Sequence, residues 1–505
     1  MSSNTLRIDS ALHLSSLGIY IHAITVAIVI GFSIALVVIE YLGIKRKDKD
    51  YINLAKQISL FIVIAFVFGA ATGTLVEFGL IQVWNGVILA IGSFVFLPLY
   101  LELIAFIIET SLLAALVYTW DKFKNPWTHW SITVVYAFGA LFSGALITAV
   151  NSWMQAPWGV GDLVKSIYPW APVYGPTLSN TEFLVELKKA LIEVGSKGDY
   201  GSSLITPTMI EQLVNRYGIL LKDPWVSLAS PVAMVSIIHQ LLASIAVGVF
   251  WIAGALSYKA LKSSQDSEKR EKYFKLFKIV ALMGSIIFLI QGIEGHEQGV
   301  MVYLYQPTKF AMIAGLERSG AYPPAGLTIV GDPNHQFKGF DHLLAASENH
   351  PNPHITLAGV SLKEIAVTDT LKALKKLPLV KSLYEVKIML AGLGVIISFI
   401  IISTLIFRRF WKKREREKIL LYGGLVMFFI TPAIAGLGWA VREIGRKPWT
   451  VYGLLYPEEL ITLNPINIWV AMAILLGIVI GLVLTFWTAY KVMKNPPRFL
   501  IKVEE

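Results

Sequence analysis

Along this chain of 505 residues, hydrophobic positions gather into long runs separated by short clusters of charge. A hydrocarbon core about 30 Å thick asks for roughly 20 consecutive apolar residues in a helix. Nine segments meet that demand, near residues 17–43, 57–81, 86–119, 129–152, 230–258, 275–293, 386–407, 419–440 and 467–490. The third is overlong and is expected to tilt or to project beyond the bilayer. The pattern predicts an all-α integral membrane protein with about nine transmembrane helices in a bundle.

Charge in the connections orients that bundle. KRKDKD follows the first span, DKFK the third, KALKSSQDSEKREK the fifth and RRFWKKREREK the seventh, and KVMKNPPR follows the ninth. If the spans alternate, all five lie on one side. Their Lys and Arg content makes that side cytoplasmic, with the N-terminus outside and the C-terminus inside. The start, MSSNTLRIDS, is polar and the first apolar run is long enough to span, so no cleavable signal is expected.

Two outer connections are large. Residues 153–229 predict two soluble-type helices, one opening at the capping sequence Ser179-Asn180-Thr181-Glu182. The other has Thr206 and Pro207 at its start and Gly218 at its end. Residues 294–385 form a long loop rich in Gly, Pro and His, and a loop of that length usually covers a site or binds a partner. The chain then divides into four helices (1–152), an outer connection (153–229), helices five and six (230–293), the long outer loop (294–385), and helices seven to nine with a cytoplasmic tail (386–505).

Composition agrees and narrows the chemistry. The chain is 55% hydrophobic and 15% charged, with a mean hydropathy of +0.62, which points to a polytopic membrane protein rather than a soluble one. It has no cysteine, which excludes disulfides, thiolate haem ligation, CxxCH attachment and Cys-ligated iron–sulfur clusters. A metal centre must therefore use His, Met or carboxylate. The formal charge of +10 resides in short loops and calls for no nucleic-acid partner.

Of nine histidines only His22 and His239 fall well within spans; His129 sits at a span edge, His13 near the N-terminus, and five in the long loop. Neutral imidazole is a good iron ligand, and a His/Met pair is a known low-spin haem arrangement, which draws in Met389. Taken singly, each of these reads equally well as a packing residue. Glu443 and Arg446 stand three apart and share a helix face where the eighth span ends. Ionisable groups at that depth usually line a bundle interior, a water path or a ligand site. Glu102 and Glu109, at similar azimuth two turns apart, are placed to relay protons or, alternatively, to pair with polar neighbours for packing.

The segment Gly438–Gly453 reads GWAVREIGRKPWTVYG. Its E-x-G-R-x-P-W resembles the E-x-G-R-Q-P-W signature of subunit I of cytochrome bd quinol oxidases. Further stretches resemble that family in order: Tyr20-Ile21-His22, GAATGTLVEF (Gly69–Phe78), PLYLELIAFIIET (Pro98–Thr110), NSWMQAP (Asn151–Pro157), PVAMVSIIH (Pro231–His239) and VKIM (Val386–Met389). Gly295–Lys309 resembles the start of the family's quinol-binding loop.

The resemblance implies a haem-containing quinol:oxygen oxidoreductase. His239 and Met389 would ligate a low-spin haem b that takes electrons from quinol, whose protons leave outside. His22 and Glu443 would each ligate a high-spin haem, one a haem b and the other haem d or a third haem b; which residue serves which stays open. Glu102 and Glu109 would bring protons from the cytoplasm, so that oxygen becomes water and a membrane potential forms without pumping. Arg446 would hold a propionate or the ligating carboxylate, Lys387 would stand beside the methionine, and Trp439 and Trp449 would edge the haems. Lys309, Glu297 and Glu317 are the candidate quinol contacts. The implied partners are a second membrane subunit (subunit II or a paralogue of subunit I), quinol, O2 and the lipid bilayer.

The chain departs from the pattern at several points. Glu102 and Glu109 are seven apart where the family has eight. Lys387 replaces an arginine, Lys447 a glutamine, and Ala314 the loop's glutamate, for which Glu317 is the candidate substitute. Rival readings are a proton-coupled transporter using His22, Glu102, Glu109 and Glu443, a structural paralogue, and an oxidase with b-type haems only.

Overall fold

A computed structural model describes residues 3–82, 85–178, 180–196, 207–217, 223, 225–263, 266–406 and 413–460, with scattered helical positions between 469 and 487. The first four long helices are α1 (Ser3–Arg46), α2 (Lys49–Gln82), α3 (Asn85–Tyr118) and α4 (Pro126–Gln155). The first large connection holds α5 (Leu163–Ile167), α6 (Thr181–Ser196) and α7 (Pro207–Tyr217), plus a two-stranded ribbon of Val160–Gly161 on Tyr174–Thr177. Then α8 (Pro231–Lys262) turns back through α9 (Ser267–Tyr305). The second connection carries α10 (Pro307–Ala314), α11 (Pro323–Ala325), α12 (Phe340–Glu348) and α13 (Leu362–Leu374). Finally α14 (Leu377–Ile406), α15 (Lys413–Ile444) and α16 (Pro457–Leu460) complete the described chain. The end of the bundle bearing the two large connections is called the outer end below.

Among the described residues, eight helices are long and apolar enough to cross a membrane. Each matches one of the first eight predicted spans. The ninth stretch lies largely outside the described residues; Trp469, Met472, Leu476, Ile480 and Trp487 within it are helical and expose their side chains. The overlong third span is one 34-residue helix.

One boundary differs. The sequence places a loop from residue 294, whereas α9 runs unbroken for 39 residues to Tyr305 and α14 already begins at Leu377. The connection proper is therefore 306–376 rather than 294–385. A helix need not stop at the bilayer surface, because its backbone hydrogen bonds are internal. No proline interrupts α9, and beyond Ile293 its Glu294 and Gln298 find partners on α8, while His296 and Glu297 stay exposed beside each other.

Local signals hold where they can be checked. Asn180 caps α6, its Oδ1 accepting from Phe183 N at 3.2 Å, so the cap sits one residue beyond Ser179, which lies outside the described residues. Pro207 opens α7 in the first-turn position that suits a missing N–H, and Gly218 lies outside the described residues. Tertiary packing adds what no local signal carries. Gly31 on α1 and Gly248 on α8 meet so closely that a Cβ on either would lie 2.6 Å from the other's Cα. Small residues at a crossing let two helices approach backbone to backbone.

Above the bundle the two connections and the chain after α15 build one core, with Trp153, Tyr168, Tyr174, Phe183, Trp449 and Tyr452 fully buried. Buried polar groups lock it. Asp369 accepts from Tyr168 at 2.6 Å and also from Tyr456, Trp449 Nε1 donates to the Tyr168 hydroxyl at 3.0 Å, and Lys188 pairs with Glu459 at 2.8 Å. Burial and the Asp369 carboxylate push the Tyr168 phenol far above its usual range, so it stays protonated and donates. Residues 160–190 and 449–460 thus form a cap over the outer end.

Candidate functional site

The outer ends of α4, α8, α9 and α15 converge on a group of charged side chains. Arg446 pairs with Glu443, one turn apart as the spacing predicts. Asn151, from the NSWMQ stretch of α4, donates through Nδ2 to Glu443 Oε1 at 3.0 Å, while its Oδ1 accepts from Arg442 Nε. Arg442 also reaches Ser152 at 3.1 Å and Ser236 of α8 at 3.4 Å. Gln155, one turn beyond Ser152, accepts at Oε1 from Gln306 at 2.9 Å and from Lys309 Nζ at 3.3 Å.

Lys309 is held there by its helix. Thr308 bonds the Tyr452 hydroxyl at 2.7 Å, and the Lys309 stem passes over Gly445, where an added Cβ would stand 2.9 Å from Lys309 Cγ. The glycine of E-I-G-R therefore makes room for the lysine. Burial, helped by the cations Arg442, Arg446 and Lys387 and opposed by Glu443, holds the Lys309 ammonium well below the usual lysine range. Lys387 of α14 approaches the same place; its Nζ would lie 3.8 Å from a Cβ at Gly438.

Arg446, Arg442, Lys309 and Lys447 thus lie within electrostatic reach of Glu443, and Lys387 within reach of Glu294. Two nitrogens of the buried Arg446 guanidinium, Nε and Nη1, have no partner, and neither does Gln306 Oε1. Buried charges are ordinarily paired, so the arrangement suits an anionic group reaching into it, such as a porphyrin propionate. Trp439 lines a crevice between α1, α8 and α15 with Ala27, Ser244 and Pro432, and the Arg442 guanidinium lies 6.0 Å over its ring. Trp449 is instead a core residue of the cap.

Each membrane histidine is oriented by its outer nitrogen. His22 Nδ1 lies 3.1 Å from the Gly69 carbonyl and 3.2 Å from Thr72 Oγ1. A carbonyl only accepts, so Nδ1 carries the hydrogen and Nε2 keeps a lone pair. Gly73 leaves space for the ring, since a Cβ there would stand 2.8 Å from His22 Cε1. His239 Nδ1 meets Glu294 Oε2 of α9 at 2.5 Å, with Gln291 Nε2 2.9 Å away. A carboxylate on one imidazole nitrogen raises the basicity of the other, as behind metal-bound histidines. Met389 on α14 is 66 % exposed, and no hydrogen bond joins it to His239.

The remaining candidates separate. Glu109 is 5% exposed and neighbours the Tyr136 hydroxyl, with Glu102 in electrostatic reach. Glu297 sits exposed at the top of α9 beside His296, 3.8 Å away, and Glu317 lines an open cleft with Arg318, Phe340 and Lys375. Lys309 lies instead in the buried cation group, so the structure brings none of the three quinol candidates together. Sequence reasoning passed over Arg442, Asn151, Gln155 and Glu294. Arg442 and Asn151 flank motifs that were recognised, and a carboxylate facing a membrane histidine is visible only across helices.

The sequence pattern of the family described as cytochrome bd terminal oxidase subunit I matches residues 13–497. Two Bacillus subtilis (strain 168) proteins are similar along most of their length. The putative cytochrome bd menaquinol oxidase subunit I is 22% identical, covering 87% of this chain and 86% of that protein. The cytochrome bd ubiquinol oxidase subunit 1 is 24% identical, covering 88% and 83%. The bd oxidase from Geobacillus thermodenitrificans shares the fold, with a TM-score of 0.70 and 19% identity over 97% of this chain and 99% of that one.

Proposed function

The chain belongs to the cytochrome bd terminal oxidase subunit I family, and from that premise we propose that it is the haem-bearing subunit of a quinol:oxygen oxidoreductase in the cell membrane. When bound, the haems carry electrons from quinol to oxygen and offer an open iron position to O2. This chain's residues do the rest. His239 presents a lone pair backed by Glu294, and Met389 is its proposed partner at a low-spin haem b. His22, backed by the Gly69 carbonyl, and Glu443 are the proposed single ligands of two high-spin haems. Arg446, Arg442, Lys309 and Lys387 receive the propionates, and Arg446 pairs with Glu443. Glu109, with Glu102, holds protons bound for oxygen. The basic connections face the cytoplasm, so quinol is oxidised at the outer end, while protons for water come from the opposite side. That separation charges the membrane without pumping. A second membrane subunit covers part of the exposed apolar surface.

The observation that carries this reading is the over-cationic cluster around Glu443 beside imidazoles whose Nδ1 faces an acceptor, so that each Nε2 is an acceptor, that of His239 with Gln291 Nε2 3.3 Å away. A dithionite-reduced minus oxidised spectrum of the purified complex, with haem extraction, tests it. Low-spin b signals are expected; a red-shifted chlorin band identifies haem d, and b-type bands alone identify the variant with a third haem b. A colourless complex from haem-replete cells overturns the reading in favour of a transporter.

A further inference from the structure

At the inner end, α1, α3 and α4 enclose a second charged group that the reading above does not use. Glu40 is 1% exposed and His129 4% exposed, both inside the bundle. Glu40 Oε1 lies 2.6 Å from His129 Nδ1, and Glu40 Oε2 accepts from Thr133 Oγ1 at 2.6 Å. His129 Nε2 lies 2.9 Å from the Leu116 carbonyl, which only accepts, so Nε2 carries a hydrogen. The short contact at Nδ1 then requires one more proton, shared between imidazole and carboxylate. Geometry alone thus makes the pair the holder of one transferable proton. The Trp120 ring covers His129 with centroids 3.9 Å apart, and Lys56, paired with Asp121 at 2.5 Å, lies 5.9 Å from that ring.

The same three helices carry polar groups onward. On α4, His129, Thr133 and Tyr136 follow at helical spacing. On α1, Ser33 stands seven residues from Glu40, and on α3, Glu109 stands seven from Leu116. The buried Tyr136 hydroxyl has Ser33 and Glu109 as neighbours and makes no hydrogen bond of its own, so a proton must be carried to it by reorientation of those side chains. Seven residues of helix span about 10 Å at 1.5 Å per residue, a distance relays of this kind cross through successive side chains.

We propose that Glu40 and His129 form the proton-loading pair that feeds Glu109 through Thr133 and Tyr136. The shared proton leaves toward Thr133, and a proton from the inner aqueous side replaces it, so the pair ends each transfer unchanged. Four such protons and the four electrons of two quinols convert one O2 to two waters. This inference rests on the proton role of Glu109 proposed above.

The test is the reaction of the fully reduced complex with O2 in weakly buffered medium containing a pH-indicating dye, together with the reduced-minus-oxidised spectrum. Glu40→Gln and Thr133→Val are nearly isosteric, and Thr133→Val decides the matter if Glu40→Gln does not assemble. Both are expected to slow proton uptake and oxygen turnover at least about tenfold, with unchanged haem spectra and an unchanged rate of anaerobic haem reduction by quinol. Wild-type proton uptake in Thr133→Val and in any assembled Glu40→Gln overturns the proposal, as does slowing accompanied by altered haem spectra. Glu109→Gln, run in parallel, separates the two readings. Slowing in Glu109→Gln alone removes the Glu40–His129 pair but keeps Glu109. Slowing in Glu40→Gln and Thr133→Val but not in Glu109→Gln keeps the loading pair and removes Glu109 as its outlet.

Discussion

The bundle buries charge at both ends, and the two ends are built differently. At the inner end one acid, one imidazole and one hydroxyl satisfy each other completely within 2.9 Å. At the outer end Arg442, Arg446, Lys309 and Lys447 crowd Glu443 while Lys387 faces Glu294, and buried donors on Arg446 find nothing. Both are costly in a membrane. A closed, balanced set needs no ligand and is suited to holding a proton. An open, unbalanced set is complete only with an anion, and the difference separates a relay from a cofactor receptor.

The contrast breaks most severely if Glu443 is removed. Glu443→Ala leaves the four cations without their counter-charge, and an uncompensated buried charge costs on the order of 3–5 kcal/mol. The expected outcome is loss of one haem equivalent and of oxygen uptake, read from haem-to-protein stoichiometry; full haem content in an active variant would remove Glu443 as a ligand. Glu294→Gln comes next. It keeps the hydrogen bond to His239 but not the charge, and outer-shell partners of this kind are worth about 10–100-fold in affinity or activity. A weakened low-spin signal with a shifted midpoint potential is expected, and an unchanged redox titration would make Glu294 a packing residue.

Lys309 sharpens the comparison through pH. Its folded pKa lies below its unfolded value near 10.4, so between the two the unfolded chain binds more protons and the stability of the haem-free protein rises with pH. An anionic occupant restores the ammonium, raises the folded pKa and flattens that slope. Thermal unfolding of haem-depleted and haem-loaded complex across pH 7–10 checks this, and Lys309→Met should remove the difference between the two slopes. The smallest effect is expected of Lys387→Arg. A fork replaces a point charge at unchanged sign, so haem content stays and stability changes by less than about 1 kcal/mol; a lost haem would show that the site is fitted to lysine.

How far these residues were legible in sequence depends on the range of the signal. His22, His239, Glu443 and Arg446 stood out because a titratable group in a long apolar run is conspicuous. The short helices at Thr181 and Pro207 were readable from caps and proline. The extension of α9 to Tyr305 was not, since polarity above a bilayer reads as loop although the backbone is free to stay helical. Lys309 was a candidate quinol contact through the resemblance of Gly295–Lys309 to the family's loop, and only the fold shows that α10 holds it against Gly445.

The sequence by itself determined the apolar spans, the gathering of basic charge in alternate connections, and the types of side chain available to iron once cysteine is absent. These follow from one-dimensional quantities, run length and composition, that a bilayer reads directly. Only the tertiary structure decided which groups face each other: Glu294 behind His239, Asn151 and Gln155 beneath the cations, Glu40 on His129. Those pairs lie 55 to 292 residues apart for the hydrogen-bonded contacts His239–Glu294 and Asn151–Glu443. Partnership across helices is set by crossing points such as Gly31 on Gly248, where shape rather than local preference fixes the register.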